Sequence, residues 1–233
     1  MAALRTFNLM SCRDLSPQIR VFELRLADGG RFDFSAGQFI TVHFTIDGQN
    51  FTRSYSIASP PGPQKSFEVM ARHNPGGPGT RYLWSLQPGA HLSASGPSGE
   101  FVLRAGQVRE SFFFANGTGI APVRSMVWSL LGRSGTARAA LLHGERDSGD
   151  LVYHSEFLEL ARRDPRFSYQ AVLSRPPEEW KGLRGRVQEH VASALGGSLE
   201  GNAYLAGSAD MVAELRSMLE RLGLPPESIR FEK

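Results

Sequence analysis

The hydrophobic rhythm of this chain changes once, near residue 105. Ahead of that point, short segments alternate apolar with polar residues: "IRVFELRL", "QFITVHFTI", "TRSYSIAS", "SFEVMARH" and "HLSASGPSGEFVL". Turns such as "DGG", "DGQN" and "PPGPQ" separate them. A period of two suits strands with one buried face, and many short strands between such turns predict an antiparallel sandwich or barrel. One helix is expected within this half, "GTRYLWSL" at 79–86, capped by Gly79–Thr80 and stopped by Pro88–Gly89. Beyond residue 105 the strand candidates become continuous apolar runs: "ESFFFAN", "ARAALLHG", "FSYQAVLS", "NAYLAG" and "SIRFE". Amphipathic stretches of helical length lie between them at 120–132, 152–163, 186–195 and 208–222. Strand and helix in alternation imply a parallel sheet covered on both faces. The expected organisation is two domains, 1–105 antiparallel β and 106–233 α/β.

Composition narrows the function classes. Of 233 residues, 41% are hydrophobic and 21% charged, the balance of a globular protein. No apolar run approaches the length of a membrane span, and "MAALRTFNLMSCRDLS" lacks a secretory core, so a cytoplasmic location is the expectation. The single cysteine, Cys12, excludes an internal disulfide and a four-cysteine iron–sulfur site. The six histidines show no helical pairing and are expected at the surface or in turns, not on a metal. A net charge of +3 with no basic run argues against a nucleic-acid groove and fits attraction to an acidic partner or an anionic cofactor.

Two kinds of feature point to chemistry. In "FFFANGTGIAPVRSM" an apolar strand runs into Gly117-Thr118-Gly119, and a helix follows with Pro122 in its first turn. That is either a tight strand-to-helix turn or a place where backbone amides meet a phosphate. Polar residues also follow the other parallel strands: Arg146 and Asp150, then Ser174 and Arg175, then Gly207 and Ser208. Ligands of open α/β sheets bind at that edge, and a hydroxyl beside a guanidinium suits a phosphomonoester. In the first half, "FTRSYSIASPP" sets Arg53 inside a strand pattern beside Ser54, Tyr55 and Ser56.

The motifs "RSYSIAS", "GGPGTRYL", "GPSGEF", "GTGIAP", "SRPPEEWKGLRGRV" and "YLAGSADMV", in this order, resemble those of the ferredoxin–NADP⁺ reductase superfamily. The likeness is to its bacterial reductase modules, without an iron–sulfur domain. It implies a six-stranded antiparallel FAD barrel followed by a five- or six-stranded parallel NAD(P) sheet. It places Arg53, with Ser54, on the FAD phosphates, Tyr55 against the flavin ring, Ser56 toward flavin N5, and Gly79 and Thr80 at the pyrophosphate. Arg72 is a further flavin contact. Gly117, Thr118, Gly119, Ile120 and Pro122 would hold the nicotinamide nucleotide together with Arg146 and Gly207. Ser174 and Arg175 match positions that grip the 2′-phosphate in members using NADP, which favours NADPH while leaving NADH open; Arg184 and Arg186 either add charge nearby or are simply solvated. Glu232 matches an acidic position near the flavin and joins Ser56 and Tyr55 as a catalytic candidate. Two departures stand out: Ala206 replaces a common cysteine, and no aromatic follows Glu232. The implied activity is hydride transfer from nicotinamide C4 to FAD N5 in a monomer, then electron delivery to a separate, acidic redox protein: ferredoxin, flavodoxin or an oxygenase component. A flavin, ferric or quinone reductase with a small acceptor is the alternative, and a non-catalytic nucleotide sensor a remote one.

Overall fold

The computed structural model describes residues 3–104, 110–133 and 135–232, so the expected boundary at 105/106 lies outside the described residues. The first half contains β1 (Leu4–Ser16), β2 (Ile19–Leu26), β3 (Phe39–Ile46), β4 (Gln49–Ser56), β5 (Ser66–Arg72), helix α1 (Pro78–Ser85) and β6 (His91–Ser98). The six strands form one antiparallel sheet in the order β4-β3-β6-β1-β2-β5. Its two outer strands meet where Ile57 bridges Val69, which curls the sheet into a barrel. Alternation is what fills the interior: Phe22 and Leu24 of β2 and Phe67 and Val69 of β5 join Phe7, Ile40 and Ile57 in one buried cluster. The helix begins one residue earlier than its sequence suggests, with Gly77 at the cap and Pro78 in the first turn. Proline is favoured there because it lacks only an amide that a helix start leaves unpaired.

The second half contains β7 (Glu110–Asn116), α2 (Ile120–Leu131), β8 (Arg138–Glu145), α3 (His154–Arg163), β9 (Phe167–Leu173), the two-residue β10 (Leu183–Arg184), α4 (Val191–Leu195), β11 (Asn202–Ala206), α5 (Ala209–Arg221) and β12 (Ile229–Phe231). All pair in parallel in the order β10-β9-β8-β7-β11-β12. The run "FFFA" shows how the sheet is covered on both faces. Phe113 and Ala115 point into a cluster with α2 and α3, whereas Phe112 and Phe114 point into another with α4 and α5. The strand order departs in opposite directions from β7, toward β8 on one side and β11 on the other, so the ligand crevice expected of such a sheet opens beside the turn after β7.

The two halves share a core. Ile19, Val21, Ala58 and Met70 of the barrel pack with Ile120, Val123, Met126 and Val127 of α2 in one buried cluster. Polar ties reinforce it: Arg124 Nη1 donates to the Ala58 carbonyl at 2.9 Å and Ser125 Oγ to the Ser59 carbonyl at 2.6 Å. No helix among the described residues is long and apolar enough to cross a membrane.

Candidate functional site

Two cavities lie where the halves meet. The first, about 760 Å³, is lined by Tyr55 and Ser56 from the end of β4, Arg72 from β5, Thr118 from the glycine turn and Phe231–Glu232 from the last strand. The second, about 710 Å³, follows the carboxyl ends of the parallel strands, with Gly117, Thr118, Glu145, Arg146, Ser174, Arg186 and Gly207 on its walls. Thr118 and Arg72 line both. Thr118 is carried by a single 3₁₀ turn, Gly117–Gly119, that leads directly into α2.

At the first cavity, Ser56 and Glu232 meet although they are 176 residues apart: Ser56 Oγ donates to Glu232 Oε1 at 2.6 Å. The Glu232 amide is anchored on the Leu205 carbonyl at 3.0 Å, which fixes the carboxyl at the end of β12. Burial raises the Glu232 pKa above its usual 4.5, and the Ser56 hydrogen bond opposes that rise. A raised carboxyl pKa means the folded chain holds this proton more tightly than the unfolded chain does. The resulting stabilisation is complete below pH 4.5 and is lost as pH climbs through the folded value. Glu232→Gln removes the titration, so its stability is expected to fall less than that of the wild type between acidic and neutral pH. Denaturant midpoints measured across that range test this, and parallel curves for the two proteins would refute it.

Beside this cavity, Arg53, Tyr55 and the start of α1 form a cradle. A Cβ on Gly79 would lie 2.6 Å from the Tyr55 hydroxyl and 3.2 Å from Arg53 Cγ, so only glycine lets the helix start approach β4 so closely. The exposed Arg53 side chain has no carboxylate partner among the described residues; Nη1 donates only to the adjacent Thr52 carbonyl at 2.7 Å. Burial pushes the Tyr55 phenol up to about 12, against the opposing field of Arg53, so it remains a neutral donor at neutral pH. A guanidinium free of any carboxylate among the described residues, beside first-turn amides, is a donor set for a phosphate, and the half-buried phenol offers an apolar face. These residues fit a flavin dinucleotide. Ser54 is exposed on the same strand, and Thr80 is buried, its Oγ1 accepting the Asn74 amide at 2.8 Å.

Several of the expected nucleotide contacts also serve packing or lie off the two cavities. A Cβ on Gly119 would overlap the Ala206 carbonyl, so this glycine is demanded by the packing of α2 on β11. Ile120 and Pro122 are buried in the first turn of α2 and line neither cavity. Arg175 is exposed and also lines neither, whereas Arg186, four residues past Gly182, does. Arg184 is tied to the carbonyls of Pro177, Glu178 and Trp180 and shapes the loop. Phe231 is half-buried under the Arg216 guanidinium, 5.3 Å from its ring, and still reaches the first cavity. One expectation is overturned: His143 is not at the surface or in a turn but 0% exposed in β8. Sequence reasoning passed over Glu145, an acidic residue closing a strand beside Gly144 at the ligand edge of the sheet.

Against known proteins, residues 6–103 match the model of the oxidoreductase FAD-binding domain and residues 113–217 that of the oxidoreductase NAD-binding domain. A ferredoxin–NADP reductase B from Sorangium cellulosum is 35% identical over 97% of this chain and 95% of that protein. The reductase component of a phenol 2-monooxygenase from a Pseudomonas species is 34% identical over 85% of this chain, which spans only 56% of that longer protein. A solved ferredoxin NADP⁺ reductase from Neisseria gonorrhoeae superposes with a TM-score of 0.84 over 100% of this chain and 99% of that one; at 20% identity it shows the shared fold. The chain belongs to the ferredoxin–NADP reductase superfamily of FAD- and NAD-binding oxidoreductases. It is an FAD-containing reductase that draws on a reduced nicotinamide nucleotide.

Proposed function

We propose that this chain oxidises NADPH and delivers the electrons to a separate redox protein, either a ferredoxin-type carrier or an oxygenase component. The observation that carries the reading is the pair of cavities sharing Thr118 and Arg72, which brings a flavin site and a nucleotide site into contact. The relatives named above, a ferredoxin–NADP reductase and an oxygenase reductase component, support the choice of acceptor. FAD, when bound, supplies the link between a two-electron donor and one-electron acceptors. We take the barrel to be the flavin domain, residues 1–105, and residues 106–233 the nucleotide domain.

In this reading Arg53 and the amides at Gly79 and Thr80 hold the FAD phosphates, and Tyr55 packs against its ring system. Ser56 and Glu232 manage a proton at the mouth of the first cavity. While Glu232 is ionised, the Ser56 hydroxyl proton is committed to it at 2.6 Å. Once Glu232 is protonated it can donate to Ser56 Oγ instead, which frees the serine proton to point into the cavity. Arg146, Ser174 and Arg186 converge on the second cavity and offer donors for a 2′-phosphate.

The test is anaerobic titration of the flavin-loaded protein with NADPH and, separately, with NADH, following flavin absorption. Bleaching is expected at roughly tenfold or more lower NADPH than NADH, since a charge-assisted phosphate contact contributes on the order of 1.5–3 kcal/mol. Equal response to both nucleotides would remove the 2′-phosphate assignment while leaving the reductase; no bleaching by either would remove the reductase reading.

A further inference from the structure

Most of the second cavity is suited to an anion, yet its inner wall carries a carboxylate. Glu145 closes β8 with its side chain only 6% exposed, and its Oε1 accepts the Gly117 amide at 2.6 Å. Gly117 opens the turn before α2, where amides free of intrahelical partners and the positive end of the helix dipole favour a phosphate. A group of this chain therefore already holds an amide that a dinucleotide phosphate would take. Two other groups face the carboxylate. His143 Nε2, fully buried and without a hydrogen-bond partner among the described residues, is 3.6 Å from Oε1, and Arg72 Nη2 is 3.9 Å from Oε2. Behind His143, the Tyr169 hydroxyl reaches Nδ1 at 3.4 Å, which leaves Nε2 as the edge turned toward Glu145.

We infer that Glu145 is a built-in competitor for the nucleotide phosphate: carboxylate and phosphate exchange places on the Gly117 amide, and every nicotinamide dinucleotide binds more weakly for it. This rests on the nucleotide site proposed above. Like charges in a poorly solvated site repel strongly, so both cannot remain ionised on one amide. The displaced carboxylate has a partner at hand, because Arg72 Nη2 already stands 3.9 Å from Oε2. Arg72 belongs to the barrel and lines both cavities, so the exchange also reports nucleotide entry to the flavin side. Weakened binding helps a reductase release its spent nucleotide. The competition acts on the pyrophosphate, which NADP⁺ and NAD⁺ share, and so is independent of any 2′-phosphate preference.

The experiment is calorimetric binding of NADP⁺, NAD⁺ and 2′-AMP to the oxidised, flavin-loaded protein, using the wild type, Glu145→Gln and Glu145→Ala. None of these ligands reduces the flavin, so the readout is affinity and not turnover. Both variants are expected to bind NADP⁺ and NAD⁺ about tenfold tighter or more, with 2′-AMP, which lacks the pyrophosphate, changing less than about threefold. The glutamine variant preserves shape and removes charge; the alanine variant also frees the amide, so either one alone decides the matter if the other folds poorly. Unchanged or weaker dinucleotide binding overturns the inference, and weaker binding would make Glu145 a support for the turn. Equal tightening of 2′-AMP also overturns it, since a diffuse charge effect would then suffice. A wild-type protein that binds none of the three ligands removes the nucleotide-site reading itself, and the competitor with it.

Discussion

Replacing Arg124 with alanine is expected to lower the unfolding free energy by about 3 kcal/mol, the lower end of what removing one partner of a buried ion pair costs. The lower end applies because Arg124 is 16% exposed and its partners Glu68 and Glu156 are about a quarter exposed (25% and 27%). Its Nε donates to Glu156 Oε1 at 2.7 Å, and its Nη1 serves the Ala58 carbonyl at 2.9 Å and Glu68 Oε2 at 3.3 Å. The guanidinium also lies 4.5 Å from the centroid of Tyr153. Among the described residues, alanine leaves Glu156 without its ion pair and Glu68 with only Arg13 at 3.3 Å, and deprives the carbonyl of Ala58, a fully buried residue, of a donor. Glu156 keeps Trp128 Nε1 at 2.6 Å, which limits the loss on that side. Since Ala58 and Glu68 belong to the barrel and Arg124 and Glu156 to the parallel domain, the change loosens the seam between them. Arg124→Lys should fall between the two, keeping the charge and losing the planar fork. Denaturant unfolding measures this directly, and a loss under about 1 kcal/mol for alanine would show the seam to be held by the apolar cluster alone.

Much of this architecture is written locally. Strands β2 and β5 fall where the alternation places them, because one face of each is packed into the barrel. The parallel strands read as apolar runs because helices cover both faces. Strand β1 escapes that reading for a physical reason. Its burial pattern is irregular, and its register with β2 shifts between Leu9 and Ser11 and again between Asp14 and Ser16. A bulge advances one strand against its partner and moves side chains to the other face, so the period of two is lost. Strand β10 has only two residues and carries no period at all.

The site was legible in part. The glycine turn after β7 and the polar residues after β8, β9 and β11 are set by topology, and sequence order alone assigns them to one edge. Which side chains face the crevice is decided by loop geometry. Arg186 lines it and Arg175 does not, because the chain after β9 returns through Leu183–Arg184 and presents Gly185–Gln188 to the cavity. Gly119 is a case where a ligand and a packing requirement ask for the same residue; here a Cβ would overlap the Ala206 carbonyl. Burial of His143 beside Glu145 depends on Tyr169 from the neighbouring strand, a contact that no local pattern encodes.

Arg53→Ala is expected to weaken FAD binding sharply while leaving the polypeptide folded. The side chain is exposed and, among the described residues, hydrogen-bonded only to the neighbouring Thr52 carbonyl, so its removal should change the stability of the flavin-free chain by no more than about 0.5 kcal/mol. On the proposed reading, the same guanidinium supplies charge-assisted hydrogen bonds to a flavin phosphate, worth on the order of 1.5–3 kcal/mol. That corresponds to a roughly 10- to 150-fold rise in the FAD dissociation constant. The glycine that lets α1 approach keeps its amides at the site, so binding should weaken without vanishing. Arg53→Lys separates charge from geometry: recovery of most of the affinity would mean that a point charge suffices, and little recovery that the planar fork matters. Flavin content after purification, followed by FAD titration of the stripped protein, reads both quantities. Full flavin occupancy in the alanine variant would take the phosphate role away from Arg53. A large stability loss without FAD would make it a structural residue of β4. Loss of flavin from an otherwise intact barrel is the one outcome that requires a ligand at the cradle formed by Arg53, Tyr55 and Gly79.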